Sequence, residues 1–286
     1  MKFLLALVLS SVYLFSMDAF ISPKDLRQLM TQKNVVLIDA TNLETFNEGH
    51  IPGAVRADIS DFRHGVEAYQ LMNSSKDIEN VARNLGINNN STVVFYEHNQ
   101  PKEILKASYM AMALLVNGLT NVSILNGGYD TWLDEYDGFL SKTPKTPEVG
   151  NFVAKFNPNI LVDLEYVKSK IGQVPMIEAR QLPYFNAEAQ SSGVRRLGHI
   201  AKARSSSWGD KFNADKTIKS NKDLNDVYIK TNKLIPDKEV VTYCTGGLEA
   251  SMNWYILHQH LGFKDVKLYD ASMREWGNRD DTPMEK

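Results

Sequence analysis

Cysteine is the residue this chain has least of: one thiol, Cys244, stands among 286 residues. A single thiol forms no internal disulfide and supplies no Cys-rich zinc or iron–sulfur site. Charge of one sign is also lacking, since 32 Lys and Arg against 34 Asp and Glu leave a formal net charge of −2. Without a basic surplus there is no footprint for a nucleic-acid partner. The first apolar run, Phe3 to Phe15, falls short of the ~20 residues needed to span a bilayer. What is present, 43% hydrophobic and 23% charged residues, is the balance of a folded globular protein. It is not that of a disordered, collagen-like or multi-span membrane chain.

Lys2 followed by the Phe3–Phe15 run has the form of a secretory leader. Residues 1–19 are therefore expected to be removed by cleavage after Ala19. No cysteine follows the run to carry a lipid anchor, so no stable membrane association is expected after cleavage, and the product is periplasmic or secreted. In an oxidising compartment an unpaired thiol is a liability. Cys244 is then either buried and inert or kept for its reactivity.

The rest of the chain repeats itself. Gly118-Leu-Thr-Asn-Val-Ser-Ile-Leu-Asn-Gly-Gly-Tyr-Asp-Thr-Trp132 matches Gly262-Phe-Lys-Asp-Val-Lys-Leu-Tyr-Asp-Ala-Ser-Met-Arg-Glu-Trp276. Ile38-Asp39-Ala40 matches Ile177-Glu178-Ala179, Gly49-His50-Ile51 matches Gly198-His199-Ile200, and Val93–Tyr96 matches Val240–Tyr243, all in the same order. The second copy carries an insertion between Asn186 and Gly198. Two homologous domains, 20–142 and 157–286, are expected, joined by a Pro- and polar-rich linker at 143–156. Short apolar runs such as Val35–Ile38 and Val93–Tyr96 suit strands of a buried parallel sheet. Pro101–Leu115 and Gly247–Leu261 have helical spacing. Strand and helix alternate, which implies an α/β fold with helices on both faces of each sheet.

Cys244 follows the strand pattern Val240–Tyr243 and precedes Thr245-Gly246-Gly247, where a helix begins. Sites in open α/β sheets lie at the carboxyl ends of strands. The glycines let several backbone N–H groups converge, and the helix macrodipole is positive at that end. Both effects favour a thiolate, so a lowered thiol pKa is expected.

In these motifs the chain resembles the tandem-domain rhodaneses, which include thiosulfate and 3-mercaptopyruvate sulfurtransferases. Ile21-Ser22-Pro23, Glu48-Gly49-His50-Ile51-Pro52-Gly53-Ala54, Asn126-Gly127-Gly128 through Trp132, and Glu275-Trp276-Gly277 with Pro283-Met284-Glu285 carry the likeness. It implies a double displacement in which Cys244 takes a sulfane sulfur from a small donor and passes it to a thiophilic acceptor such as a thiol or cyanide. It calls for no cofactor and no metal, and a monomer is expected. Glu97 stands in the first copy where Cys244 stands in the second, so the first domain is expected to be catalytically silent. A non-catalytic binding or sulfur-carrier module on the same fold is the alternative.

The loop departs from the family at several positions. It is Cys244-Thr245-Gly246-Gly247-Leu248-Glu249, with Thr245 and Gly246 where basic residues are common and Glu249 where Arg or Thr is usual. Arg180 keeps the family's arginine at a strand end, while Tyr184 replaces a second one. An anionic donor would meet fewer cations than usual, unless Arg195 and Arg196 in the insertion supply them; Lys202 and Arg204 are weaker candidates. Glu249 would either point outward, select a neutral or cationic donor, or oppose the thiolate. Ala250 stands where rhodanese-like phosphatases need an arginine, which argues against phosphate-ester hydrolysis. Ser251 is a candidate for the amide cradle and Trp208 for the substrate entrance. His50 and His199 are expected to be structural, and His258 and His260 share no helix face that would bind a metal.

Overall fold

The computed structural model describes residues 17–98 and 102–286. The leader's apolar run lies outside the described residues. The first domain runs β1 (Phe20–Ile21), α1 (Pro23–Leu29), β2 (Val35–Asp39), α2 (Leu43–Glu48), β3 (Val55–Arg56), β4 (Arg63–Val66), β5 (Tyr69–Met72), α3 (Ser75–Asn84), β6 (Thr92–Tyr96), α4 (Glu103–Val116), β7 (Val122–Leu125) and α5 (Gly128–Tyr136). The second runs β8 (Leu161–Val162), α6 (Leu164–Lys170), β9 (Met176–Glu178), α7 (Leu182–Phe185), β10 (His199–Ile200), β11 (Arg204–Ser205), α8 (Asn221–Asn225), β12 (Val240–Tyr243), α9 (Leu248–Tyr255), β13 (Val266–Tyr269), α10 (Ser272–Trp276) and β14 (Met284–Glu285).

Each domain holds one five-stranded sheet, in the orders β1-β7-β6-β2-β3 and β8-β13-β12-β9-β11. Every pairing in them is parallel. The central strands β6 and β12 are buried along their whole length. That explains why Val and aromatic residues run through them without alternation. The helices start where the sequence can cap them: Ser22 accepts from the amide of Asp25, with Pro23 opening α1, and Asp163 accepts from the amide of Tyr166 at α6.

The duplication reaches individual hydrogen bonds. Tyr96 Oη accepts from the amide of Ile51 at 3.0 Å, and Tyr243 Oη accepts from that of Ile200 at 3.2 Å. His50 and His199 each stack on a phenylalanine, Phe46 and Phe185, and bond its carbonyl through Nδ1. The indoles of Trp132 and Trp276 donate to the carbonyls of Phe139 and Pro283. The paired histidines and tryptophans are thus structural in both copies.

The domains meet along α4 and α9, where Ser108 Oγ and Ser251 Oγ lie 2.9 Å apart. One apolar core runs through the junction, including Phe20 and Leu105 from the first domain and Trp254 and Tyr255 from the second. Tyr255 Oη donates to the carbonyls of Ala19 and Val122. Ala19 is buried, and its carbonyl also accepts from Ile124. The expected cut after Ala19 would strip this acceptor from the sheet, which gives it a structural cost. The segment 143–156 has no helix or strand among its residues, yet it is strapped to the first domain. Gly150 and Phe152 donate to the carbonyls of Arg83 and Ile87, and Phe152 is buried. After α9, residues 256–260 continue as one π-helical turn, so the expected helix spans two geometries.

Candidate active site

The loop after β12 is stitched to the turn after β13. The Cys244 amide donates to Ser272 Oγ at 3.0 Å, and its carbonyl accepts from the amide of Met273. The Thr245 carbonyl accepts from the amide of Arg274. Gly247 sits at φ +90°, and a Cβ there would stand 2.0 Å from Asp270 Oδ1. Only glycine fits this position. The geometry turns backbone amides inward: Gly247 N–H donates to the Cys244 sulfur at 3.1 Å, and the amides of Ala250 and Gly246 lie near enough to favour its thiolate.

The thiol is fully buried. Burial pushes it up to about 12, the Glu249 carboxylate adds to the rise, and the amides of Ala250 and Gly246 oppose it. The expected lowering of the thiol pKa is therefore corrected. Desolvation of a thiolate with no water around it outweighs the amide cradle. Glu249 does not point outward: it lines the pocket beside the loop, and its Oε2 accepts from the Thr245 amide at 3.5 Å.

Beside the Cys244 loop lies a pocket of about 310 Å³, lined by Arg63, Gln70, Lys102, Leu105, Tyr184, Ser191, Ser192, Thr245, Gly246, Leu248, Glu249 and Arg274. Arg63 comes from β4 of the first domain, in a hairpin that reaches across to the second. Its guanidinium donates to the Gly246 carbonyl at 2.6 Å and lies 3.6 Å from Asp270 Oδ1. Asp270 also accepts from Tyr109 Oη and the amide of Met72. Lys102, just before α4, stands 3.7 Å from Glu249. The site is thus built from both domains, and three cations surround it.

The structure brings only some of the expected residues into that pocket. Tyr184, Thr245, Gly246, Leu248 and Glu249 line it, while Cys244 and Gly247 do not. Arg180 is buried beneath, committed to Glu178, Ser191 Oγ and the Gly198 carbonyl, though near enough for its charge to interact with Cys244. Arg195 turns away to Asp280 and the Asn278 carbonyl. Arg196 clasps the carbonyls of Trp276 and Thr282. Both arginines pin the C-terminal segment and do not face the pocket. Lys202 pairs with Glu285, and Arg204 donates to the Asn232 carbonyl. Trp208 packs edge-on against Phe212, and the Ser251 amide is used within α9 by the Gly247 carbonyl. Glu97 is buried at the first domain's equivalent strand end, where its carbonyl accepts from Tyr129 as that of Cys244 accepts from Met273.

Sequence reasoning missed Arg63, Lys102 and Arg274. Arg274 had a signal, since it falls in the turn after β13, at the carboxyl edge where sites gather. Arg63 and Lys102 had none, because only the docking of the two domains brings them to Cys244. Among the described residues no cluster of three or more His, Cys, Asp or Glu could hold a metal, and no helix is long and apolar enough to cross a membrane.

The rhodanese-like domain model matches twice, at residues 22–135 and 163–279. The chain belongs to the rhodanese family. A rhodanese relative from Corynebacterium glutamicum, named thiosulfate sulfurtransferase, is 28% identical over 259 residues, covering 84% of this chain and 81% of the relative. The sulfur carrier protein TtuD of Thermus thermophilus is 29% identical over 256 residues, covering 84% and 87%. Among solved structures, YnjE superposes with a TM-score of 0.84 at 23% identity, over 94% of this chain and 68% of that one. EanB, solved with ergothioneine covalently linked to a persulfide cysteine, superposes at 0.83 with 22% identity over 94% and 70%. These superpositions establish the shared rhodanese fold. With its family and its sulfurtransferase relatives, the chain is a sulfurtransferase of the rhodanese type.

Proposed function

We propose that this rhodanese moves a sulfane sulfur from a small anionic donor, of the thiosulfate or 3-mercaptopyruvate type, to a thiophilic acceptor through a persulfide on Cys244. One observation carries the reading: the only thiol accepts from a loop amide, in a loop whose Thr245, Gly246, Leu248 and Glu249 line a pocket bearing Arg63, Lys102 and Arg274. With thiosulfate, the Cys244 sulfur forms a bond to the sulfane sulfur. The sulfur–sulfur bond of the donor breaks, and sulfite leaves with the electron pair. The amides of Gly246, Gly247 and Ala250 then hold the persulfide anion. An acceptor thiolate or cyanide takes the outer sulfur and returns Cys244. Cations from both domains answer the shortage of basic residues in the loop itself, and they favour an anionic donor over a cationic one.

Substrate access is part of this reading. Cys244 is covered in the resting structure, so the side chains of the pocket floor move aside as the donor enters. On this reading the chain acts as a monomer, exported to the periplasm or secreted, after loss of its leader. The raised thiol favours a second reading, a sulfur-carrier module that is loaded by a partner enzyme. Initial-rate kinetics with thiosulfate or 3-mercaptopyruvate as donor and cyanide or a small thiol as acceptor test the proposal. Parallel double-reciprocal lines are expected for a covalent sulfur intermediate. Intersecting lines overturn the double displacement, and absence of turnover favours the carrier.

A further inference from the structure

A buried thiol must lose a proton before it can attack, and the site offers few places for that proton to go. Arg63, Arg274 and Lys102 line the pocket as cations that accept nothing. Arg180, beneath, is bound to Glu178. Asp270 faces the other side of the loop and is engaged by Tyr109, Met72 and Arg63. Tyr184 is a phenol, and no histidine lines the pocket. The one carboxylate in the lining is Glu249, close enough for its charge to act on the thiol. Its side chain is only 14% exposed, and Lys102 stands 3.7 Å from Oε1 while the Thr245 amide points at Oε2 from 3.5 Å.

Resting on the sulfur-transfer reading, we infer that Glu249 is a catalytic residue: it takes the Cys244 proton as the sulfur attacks, and Lys102 of the first domain holds it for that task. The Sγ–H bond breaks and its proton passes to Glu249 Oε. The freed electron pair forms the bond to the sulfane sulfur, and the donor's own sulfur–sulfur bond breaks toward sulfite. When the acceptor removes the outer sulfur, Cys244 leaves as thiolate and recovers the proton from Glu249. The placement turns an apparent defect into a coupling. An ionised Glu249 beside a thiolate and an anionic donor would be repulsive, but transfer of the proton discharges Glu249 at the moment both anions are present. Burial also serves the transfer, because the thiol cannot lose its proton to water.

Glu249→Gln keeps the shape and removes the acceptor. Two measurements on the full chain decide the matter: single-turnover sulfur loading from thiosulfate, and alkylation of Cys244 by iodoacetamide, each between pH 5 and 10. For the wild type, both rates should level off well below the pH at which a buried thiol would ionise unaided. In Glu249→Gln the loading rate at pH 7 should fall by ~10²–10⁴-fold, the usual scale for a lost general base, and alkylation should climb with pH without the plateau. If Glu249 only repels the thiolate, the variant will load and alkylate faster than wild type at pH 7, and the inference is overturned. If the wild type takes up no sulfur, the sulfur-transfer reading fails, while alkylation still decides where the proton goes. Lys102→Met tests the positioning role: loading at pH 7 should slow by roughly tenfold, but not in the Glu249→Gln background. An equal slowing in both backgrounds removes Lys102 from the account.

Discussion

Replacing Arg63 with Met should destabilise the protein more than an ordinary surface change, because the arginine is shared between the domains. The Arg63 and Asp270 side chains are 4% and 5% exposed. Breaking a buried pair by removing one partner costs ~3–5 kcal/mol, as the other charge is left without its counterpart. Here Asp270 keeps two donors, Tyr109 Oη at 2.6 Å and the Met72 amide at 2.8 Å. That places the charge cost at the low end. The bonds to the Gly246 and Gln70 carbonyls and the cation–π contact with Tyr109 are lost as well. A total of about 3–4 kcal/mol follows. Urea unfolding followed by tryptophan fluorescence measures it. In an Asp270→Asn background no charge is stranded, so the same Arg63 change should cost only about 1 kcal/mol. The pH dependence has a definite sign. Burial raises the Asp270 pKa in the folded state, opposed by Arg63. A raised carboxyl contributes stability that is full below its unfolded value near pH 4 and is lost as pH rises through the folded value. Without Arg63 the folded value rises further, so the gap between variant and wild type should widen from about pH 4 to 7. A loss below about 1 kcal/mol, or an equal loss in the Asp270→Asn background, would refute the reasoning.

Other sites yield shorter tests. Gly247→Ala must hold a Cβ at φ +90° against Asp270 Oδ1, whereas at Gly246 the nearest atom is Cδ of the flexible Arg274 at 3.3 Å. Gly247→Ala should therefore cost about 2–4 kcal/mol and disrupt sulfur loading, with Gly246→Ala far milder in thermal unfolding. Arg274→Ala should raise KM for thiosulfate roughly tenfold, about 1.4 kcal/mol. Arg195→Ala, an exposed pair with Asp280, should leave KM unchanged and cost less than about 1 kcal/mol. Tyr255→Phe removes buried bonds to Ala19 and Val122 and should cost about 1–2 kcal/mol by urea unfolding.

The frame of the molecule was legible because its signatures are local. His50 and His199 each bind a carbonyl within their own copy, and Trp132 and Trp276 do the same, so spacing alone reveals two equivalent domains. The Cys244 loop was legible for the same reason: a strand, two glycines and a helix start are contiguous. The charges were not. Arg195 and Arg196 lie in the same copy as Cys244, but their guanidiniums find closer carbonyls in the C-terminal segment. Arg63 and Lys102 lie in the other copy and arrive only through the packing of α4 on α9. The thiol's direction of titration was illegible too. Helix polarity can be read from sequence order, but the depth at which the sulfur is buried depends on side chains from both domains.

The claim on which the rest depends is that Cys244 carries the transferred sulfur. Intact mass spectrometry after incubation with thiosulfate, and separately with 3-mercaptopyruvate, tests it most directly, with Cys244→Ser as the control. A gain of one sulfur atom on the wild type, removed by cyanide and missing from Cys244→Ser, is the predicted result. No gain with either donor, or a gain that persists in Cys244→Ser, would contradict it.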